Sequence, residues 1–347
     1  MRRFTGKILV LLFIAACATR ATTVPPAEKQ RGMSYACAWH PQRDIRYGSA
    51  ASAESLRELK ELGVNWISIT PFGFHRGTPE IRWGGPNIWE TDESLLAVTK
   101  QAHELGIKVM LKPHVWGRGE LAMHEWQDAQ WRTWFDGYAK FIEHYATIAR
   151  DAKVDAFCIG NEQKVASKHE AEWRAIVARV REIYRGPLTY GANFDEVFDV
   201  PFWDAVDWIG VSAYFPLADR PSPDRATLVR AWQPIVARLG ALAETHRKPI
   251  VFTEIGYRSA DGAAWRQWEL PREAPLNLEA QQAAYEAFFE AVWPQPWLGG
   301  VYPWKWFSYP NHSGPKNNDY PIDNKPAEEV VRRHYSASSS ASSSTRR

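Results

Sequence analysis

Two glutamates in this sequence stand near the ends of short apolar runs, where a buried strand would emerge from a protein core. Residues 155–162 read Asp-Ala-Phe-Cys-Ile-Gly-Asn-Glu, so the run ends in Asn161 and Glu162. Residues 249–257 are rich in β-branched and aromatic side chains and carry Glu254 near their end. Two carboxylates at one site can act as proton donor and nucleophile, which is the chemistry that breaks a glycosidic bond.

Strand-like and helix-like segments alternate along most of the chain. Apolar, β-rich runs predict strands at 33–39, 64–71, 107–114, 155–162, 188–193, 208–214, 249–254 and 299–306. Helical periodicity and end signals predict helices at 53–62, 92–105, 129–152, 167–184, 226–245, 278–292 and 327–335. Eight strands alternating with helices, with no second composition regime, predict an α/β protein formed by a single (β/α)8 TIM barrel.

In such a barrel the carboxyl ends of the strands share one mouth, where catalytic residues lie. Strand alternation puts Glu162 on the face of Gly160, and Glu254 on the face of Phe252, so both carboxylates can point inward. Sequence spacing does not say which glutamate is the acid. The side chains expected at the mouth are Trp39, His40, Phe72, Phe74, His114, Trp116, Asn161, Glu162, Asn193, Tyr214, Glu254, Tyr257, Trp304 and Trp306.

The composition narrows the class of ligand. Lys and Arg total 42 against 40 for Asp and Glu, so the chain has no broad positive field and nucleic acid is not expected as a partner. The 18 tryptophans are many for this length, and indole faces suit sugar rings, although we expect about two-thirds of them to pack helices on the barrel. Cys37 and Cys158 lie in apolar runs and fit small core residues. Two lone cysteines do not define a disulfide framework or a zinc site. We expect no metal and no organic cofactor.

The N-terminus has the form of a targeting segment. Three basic residues precede an apolar run at 8–16 that is too short to span a bilayer. Residues 14–17, Ile-Ala-Ala-Cys, resemble a bacterial lipobox, which makes Cys17 a candidate lipidation site; ordinary secretory cleavage nearby is the alternative. We predict a signal peptide at 1–17, a flexible tether at 18–31, a catalytic barrel at 32–335 and a disordered Ser-rich tail at 336–347. The mature protein would be a monomer outside the cytoplasm, lipid-anchored to a bacterial membrane in the periplasm or at the cell surface.

Five sequence blocks on the predicted strand ends are together similar to glycoside hydrolase family 113, over roughly residues 33–335. They are Thr-Pro-Phe-Gly-Phe (70–74), Lys-Pro-His-Val-Trp (112–116), Gly-Asn-Glu (160–162), Ser-Ala-Tyr-Phe (212–215) and Phe-Thr-Glu-Ile-Gly-Tyr (252–257). This family of clan A retaining enzymes is known for endo-β-1,4-mannanases. The resemblance implies that Glu162 is the acid/base, that Glu254 is the nucleophile and that Asn161 holds the sugar 2-hydroxyl.

The same resemblance implies roles for other mouth residues. Tyr214 would bond to the nucleophile, and one of Trp304 and Trp306 would form the floor of the site while the other packs in the core. The further residues that we expect to bind the polysaccharide or oligosaccharide substrate are Trp39, His114, Trp116 and Asn193.

The implied activity is retaining hydrolysis of β-1,4-linked mannan or manno-oligosaccharides. Another clan A specificity, such as glucanase or galactanase, stays open, as does a non-catalytic surface lipoprotein that binds sugar. A metal-dependent barrel hydrolase fits least, because the first strand has no His-x-His and the fourth has no lysine to bridge two metals.

Overall fold

The computed structural model describes residues 28–40, 42–84, 89–117, 120–219 and 224–344. The predicted signal peptide, its Cys17 and most of the predicted tether lie outside these residues. No helix within the described ranges combines the length and the apolar character that a membrane span requires.

Eight parallel strands form a closed barrel, which confirms the predicted (β/α)8 fold. The described strands are β1 (Gln30–Ala36), β2 (Trp66–Ile69), β3 (Phe72–His75), β4 (Lys108–Leu111), β5 (His114–Gly117), β6 (Ala156–Asn161), β7 (Leu188–Asn193), β8 (Trp208–Ser212), β9 (Ile250–Ile255) and β10 (Leu298–Phe307). The barrel order is β1-β10-β9-β8-β7-β6-β4-β2, so β1 closes the ring by pairing with both β10 and β2. This topology brings the ends of β6 and β9 to one mouth.

Helices follow most barrel strands and cover the outside of the barrel. They are α1 (Ala50–Glu61), α2 (Asp92–Glu104), α3 (Glu120–Met123), α4 (Asp128–Asp151), α5 (Glu170–Ile183), α6 (Arg225–His246), α7 (Leu278–Ala291) and α8 (Pro326–Ser344). At the start of α2 the Thr91 side chain accepts a hydrogen bond from the Ser94 amide, as an N-cap should. Gly106 follows this helix with a positive φ of 67°, the left-handed conformation that glycine adopts readily.

Two clusters of buried side chains hold the layers together. A small cluster of Trp66, Met110, Ala156, Val251 and Tyr302 draws on five different barrel strands and therefore fills the barrel interior. The larger cluster joins the helices to the outer face of the barrel. Fully buried tryptophans such as those at 134, 173 and 232 belong to this larger cluster, which is the packing role predicted for most tryptophans.

Two prolines interrupt barrel strands and create a short extra ribbon above the rim. Pro71 separates β2 from β3 and Pro113 separates β4 from β5, since proline has no N–H to donate to a sheet. Beyond the prolines, β3 and β5 pair with each other in parallel. The segment after Pro71, which lies between the predicted strand 64–71 and the predicted helix 92–105, is thus partly strand, and the ribbon raises His114 and Trp116 over the mouth.

The described strands and helices extend past both predicted ends of the barrel domain. Gln30 and Arg31 were assigned to the tether, but they pair with β10 and are almost fully buried. The hydroxyl of Tyr302 donates to the Gln30 side chain, which satisfies this buried amide. At the other end α8 continues to Ser344 where a disordered tail was predicted, since Ala and Ser tolerate a helix and no Gly or Pro stops it.

Candidate active site

The carboxyl end of the barrel encloses a cavity of about 580 Å³. Most of the predicted mouth residues line it, namely Trp39, Phe72, His114, Trp116, Glu162, Tyr214, Glu254 and Trp304. The structure therefore brings together both glutamates and the aromatic side chains expected around them.

Irregular strand ends, rather than simple alternation, direct the two glutamates into the cavity. Neither residue that was predicted to share a face with a glutamate points inward. Phe252 packs against helix residues outside the barrel, and a side chain at Gly160 would meet Trp173 of α5. The pairing register shifts on both β6 and β9 just before the glutamates. Such a bulge re-aims the side chains that follow it, so Glu162 and Glu254 still face inward.

Glu254 is a buried carboxylate held by a cation and a hydroxyl. The ammonium group of Lys112 donates to one carboxylate oxygen, and the Tyr214 hydroxyl donates to the other at 2.9 Å. Burial alone would raise the pKa of Glu254, but the charge and hydrogen bond of Lys112 outweigh it, with smaller contributions from His114 and Tyr214. The pKa of Glu254 is lowered from its usual value, so this side chain is ionised at neutral pH.

The surroundings of Glu162 shift its pKa in the opposite direction to that of Glu254. Burial, and then the negative charge of Glu254, raise the pKa of Glu162 to about 8. The residue has a φ of +57°, which is uncommon for a side chain other than glycine, and its amide donates to the Gly191 carbonyl at 2.8 Å. One cavity thus holds a protonated and an ionised glutamate at neutral pH, which is the division that an acid and a nucleophile require.

Asn161 and His114 form a polar pair at the edge of the cavity, and His114 is part of the cavity lining. The Asn161 amide donates to His114 Nδ1 at 3.3 Å, and the Ser212 hydroxyl donates to the Asn161 carbonyl at 3.4 Å. Burial lowers the pKa of His114 to about 4 against the pull of Glu254, so the imidazole is neutral and this bonding puts its proton on Nε2. Asn161 is fully buried and does not line the cavity, so its contact with a sugar hydroxyl stays a prediction.

Asn193 lies in a smaller adjoining cavity of about 140 Å³. Glu162, His114 and Trp116 line both cavities, whereas Glu254 lines only the larger one. The smaller cavity therefore opens on the side of the predicted acid, where the leaving group of a glycosidic bond would lie.

Trp304 and Trp306 of β10 have different surroundings. The sequence analysis assigned one of them to the floor of the site and the other to the core. Trp304 lines the cavity. Trp306, which was named among the substrate-binding residues, is buried away from it and donates its indole N–H to Ser55 of α1 at 2.9 Å. The register against β1 shifts between these two positions, so they do not share a face.

Three other residues expected at the mouth do not line the cavity. His40 is exposed and accepts from the Gln42 amide, Phe74 lies outside against Phe72, and Tyr257 is buried against Tyr285 of α7. His40 and Tyr257 follow barrel strands in the sequence, whereas Phe74 lies within β3, outside the barrel.

Sequence reasoning missed several residues that lie in or beside the cavity. The sequence analysis named Lys112 only as part of a sequence block. The available signal was its position at the end of an apolar strand, because a lysine is rarely buried without a partner. Glu90 is buried in the cavity wall, accepts the indole N–H of Trp39 at 3.1 Å and has its pKa raised to about 7 by burial. Lys305 and Tyr320 also line the cavity. Glu90 and Tyr320 stand outside the barrel strands, and no local pattern marks them.

Within the described ranges, no group of three or more His, Cys, Asp or Glu residues is arranged to hold a metal ion.

A (β/α)8 barrel with glutamates at the ends of its fourth and seventh strands, in opposite protonation states, defines a glycoside hydrolase of the retaining clan A type. The sequence model of Glycoside Hydrolase Family 113 matches residues 33–325. The chain belongs to this family, which confirms the resemblance found in the sequence blocks.

Solved structures agree with that assignment. The β-mannanase AaManA of Alicyclobacillus acidocaldarius, a member of the same family, shares 34% identity over 90% of this chain and 98% of its own, with a TM-score of 0.78. A second family 113 structure, a β-1,4-mannanase, shares 28% identity over 89% of this chain and 99% of its own, also with a TM-score of 0.78. A β-glucuronidase from Ruminococcus gnavus shares only 14% identity, with a TM-score of 0.61 over 50% of its own length, which shows the fold alone. The comparison with curated proteins found no match.

Proposed function

We propose that this glycoside hydrolase cleaves β-1,4-linked mannan or manno-oligosaccharides with retention of configuration. The observation that carries the proposal is the pair of glutamates in one cavity, with the pKa of Glu162 raised and that of Glu254 lowered. The preference for mannan is supported by the family 113 structures at 34% and 28% identity, which are those of β-mannanases.

In the first step the ionised Glu254 attacks the anomeric carbon while Glu162 gives its proton to the leaving oxygen. The glycosidic bond breaks, the leaving sugar departs with that proton, and a covalent glycosyl ester forms on Glu254. Lys112 and Tyr214 orient the two oxygens of Glu254 before the attack.

In the second step Glu162 acts as a base. Ester formation removes the negative charge of Glu254, which is one of the causes that raise the pKa of Glu162, so its pKa falls at this stage. The Glu162 carboxylate then takes a proton from water as the water oxygen attacks the anomeric carbon. The ester bond breaks, and the sugar leaves with its original β configuration.

Three indole rings line the cavity around these groups. Trp304 of β10 lies 5.8 Å from the Lys112 ammonium that contacts Glu254, so we assign it the floor beneath the reacting sugar. Trp39 and Trp116 are each about half exposed, at 52%, and offer faces for further sugar rings.

The test is release of reducing sugar from a panel of mannans, glucans, xylans and galactans, with Glu254→Gln as the inactive control. Release from mannan by the wild type alone supports the reaction and the nucleophile together. Preferred release from glucan or galactan would instead indicate another clan A specificity. Sugar binding without any product would indicate a binding protein. NMR of fresh product should show the β-anomer first, and initial α-anomer would contradict retention.

We also propose, from the sequence pattern of residues 14–17, that Cys17 is lipidated and holds a monomeric enzyme at a bacterial membrane outside the cytoplasm. The wild type should then fractionate with membranes and dissolve in detergent, whereas Cys17→Ala should be released in soluble form. Equal fractionation of both proteins would contradict the anchor. Protease treatment of intact cells separates the cell surface from the periplasm, and light scattering measures the oligomeric state.

A further inference from the structure

A third cavity of about 460 Å³ adjoins the catalytic cavity. Tyr320 lines both. Beside it, Asp319 lines the third cavity and Lys305 lines the catalytic one, and their charged groups lie 3.8 Å apart. Tyr320 and this ion pair therefore lie between the two cavities.

One side of this third cavity is an indole ring. Trp268, which follows β9 in the chain, is 49% exposed, and it stacks on Phe194 with ring centres 5.4 Å apart and planes inclined by 30°. Phe194 packs in turn against Phe215. Since Phe194 covers one face of the indole and half of the side chain stays exposed, the other face is available to a ligand.

Charged side chains of both signs line the cavity, namely Arg258 and Arg272 as cations and Asp319 as an anion. The guanidinium group of Arg258 is buried and donates to the backbone carbonyls of Leu270, Pro271, Arg272 and Asn318, so it ties the cavity wall together. These carbonyls take at most four of its five N–H donors, and through them the guanidinium group holds the cavity wall together.

Two polar residues that line the cavity, Asn318 and Asp319, supply hydrogen-bond acceptors. The Asn318 amide group donates both of its hydrogens, to the carbonyls of Arg272 and Ala274, which leaves its oxygen to accept. Asp319 adds a half-exposed carboxylate. An apolar ring face beside two acceptors matches a pyranose, which has an apolar face and a rim of hydroxyl donors.

We propose that this third cavity is a subsite for a neutral hexopyranosyl unit of the substrate, with Trp268 as its stacking platform. The inference rests on the proposed function. The bound unit is either a further unit of the mannan backbone or a side-chain sugar such as galactose, because both present the same ring chemistry.

The test compares three variants with the wild type on short and long substrates. Trp268→Ala removes the platform, Trp268→Phe keeps an aromatic face, and Trp265→Ala is the matched control, an exposed tryptophan on the same loop that lines neither cavity. The substrates are an aryl β-mannoside, which reaches only the catalytic cavity, linear mannohexaose, and a galactose-branched oligomannoside.

We expect Trp268→Ala to raise KM roughly tenfold for at least one long substrate, to leave kcat and aryl mannoside hydrolysis unchanged, and to be largely rescued by Trp268→Phe. An effect on mannohexaose assigns the subsite to the backbone, and an effect on the branched substrate alone assigns it to the side chain. Behaviour identical to Trp265→Ala would overturn the inference, as would an equal loss on the aryl mannoside. A wild type inactive on all three substrates would instead overturn the proposed function, and the subsite with it.

Discussion

The ammonium group of Lys112 contacts a carboxylate oxygen of Glu254, and both side chains are buried, with 0% and 7% of their surface exposed. The two residues lie 142 positions apart in the chain. This ion pair keeps the predicted nucleophile charged in a place where burial alone would neutralise it. The proposed nucleophile and the proposed proton donor thereby have different charges at neutral pH, although both are glutamates.

Replacing Lys112 with Met should raise the pKa of Glu254, because the main influence that lowers it is removed. The acid limb of kcat/KM should move to higher pH, and the rate near neutral pH should fall on the order of 100-fold. Tyr214→Phe, which removes one hydrogen bond, should have a smaller effect. The measurement is a pH–rate profile of the three proteins, and an unmoved acid limb in Lys112→Met would count against this role.

Removing Glu162 should affect substrates according to their leaving groups. Glu162→Ala should slow hydrolysis of unactivated mannan far more than that of an activated aryl mannoside, whose leaving group departs without a proton. Added azide should restore turnover and give a β-mannosyl azide. Equal losses on both substrates, without azide rescue, would take the acid/base role away from this residue.

The two glutamates should affect thermal stability with opposite signs. The pKa of Glu162 rises from its usual 4.5 to about 8 in the folded protein, so the unfolded state ionises first and the wild type loses stability as pH rises through this window. Glu162→Gln removes that loss and should raise Tm increasingly from pH 5 to pH 8. For Glu254 the pKa is lowered on folding, so its charge stabilises the fold above the usual pKa, and Glu254→Gln should lower Tm at neutral pH. A Glu162→Gln protein with no gain in Tm at pH 8 would refute the raised pKa.

Glu90 should act through Trp39. The buried carboxylate accepts the indole N–H, and the indole lines the catalytic cavity, so the bond fixes the orientation of a surface that we propose to bind sugar. Glu90→Gln retains an acceptor and should leave KM nearly unchanged, whereas Glu90→Leu should raise KM about fivefold with little change in kcat. Trp39→Ala should match Glu90→Leu, and the double variant should be no worse than either. Additive losses in the double variant would mean that Glu90 acts independently of Trp39.

Much of this protein could be predicted from its sequence because the determining signals are local. Apolar runs alternate with helical periodicity, which predicts the barrel, and Glu162 and Glu254 stand near the ends of their runs. Strand ends meet at the barrel mouth in any such fold, so the two glutamates could be brought to one cavity without coordinates. Five sequence blocks were enough to identify the resemblance to glycoside hydrolase family 113.

Tertiary structure alone decided how these parts meet. Register shifts in β6 and β9 depend on neighbouring strands, and they, rather than alternation, turn the glutamates inward. Another register shift separates Trp304 in the cavity from Trp306 in the core. The pairing of Lys112 with Glu254 joins distant parts of the chain, and Glu90 reaches the cavity from outside the strands. None of these contacts leaves a periodic trace in the sequence, because each depends on the three-dimensional approach of segments that are remote from one another.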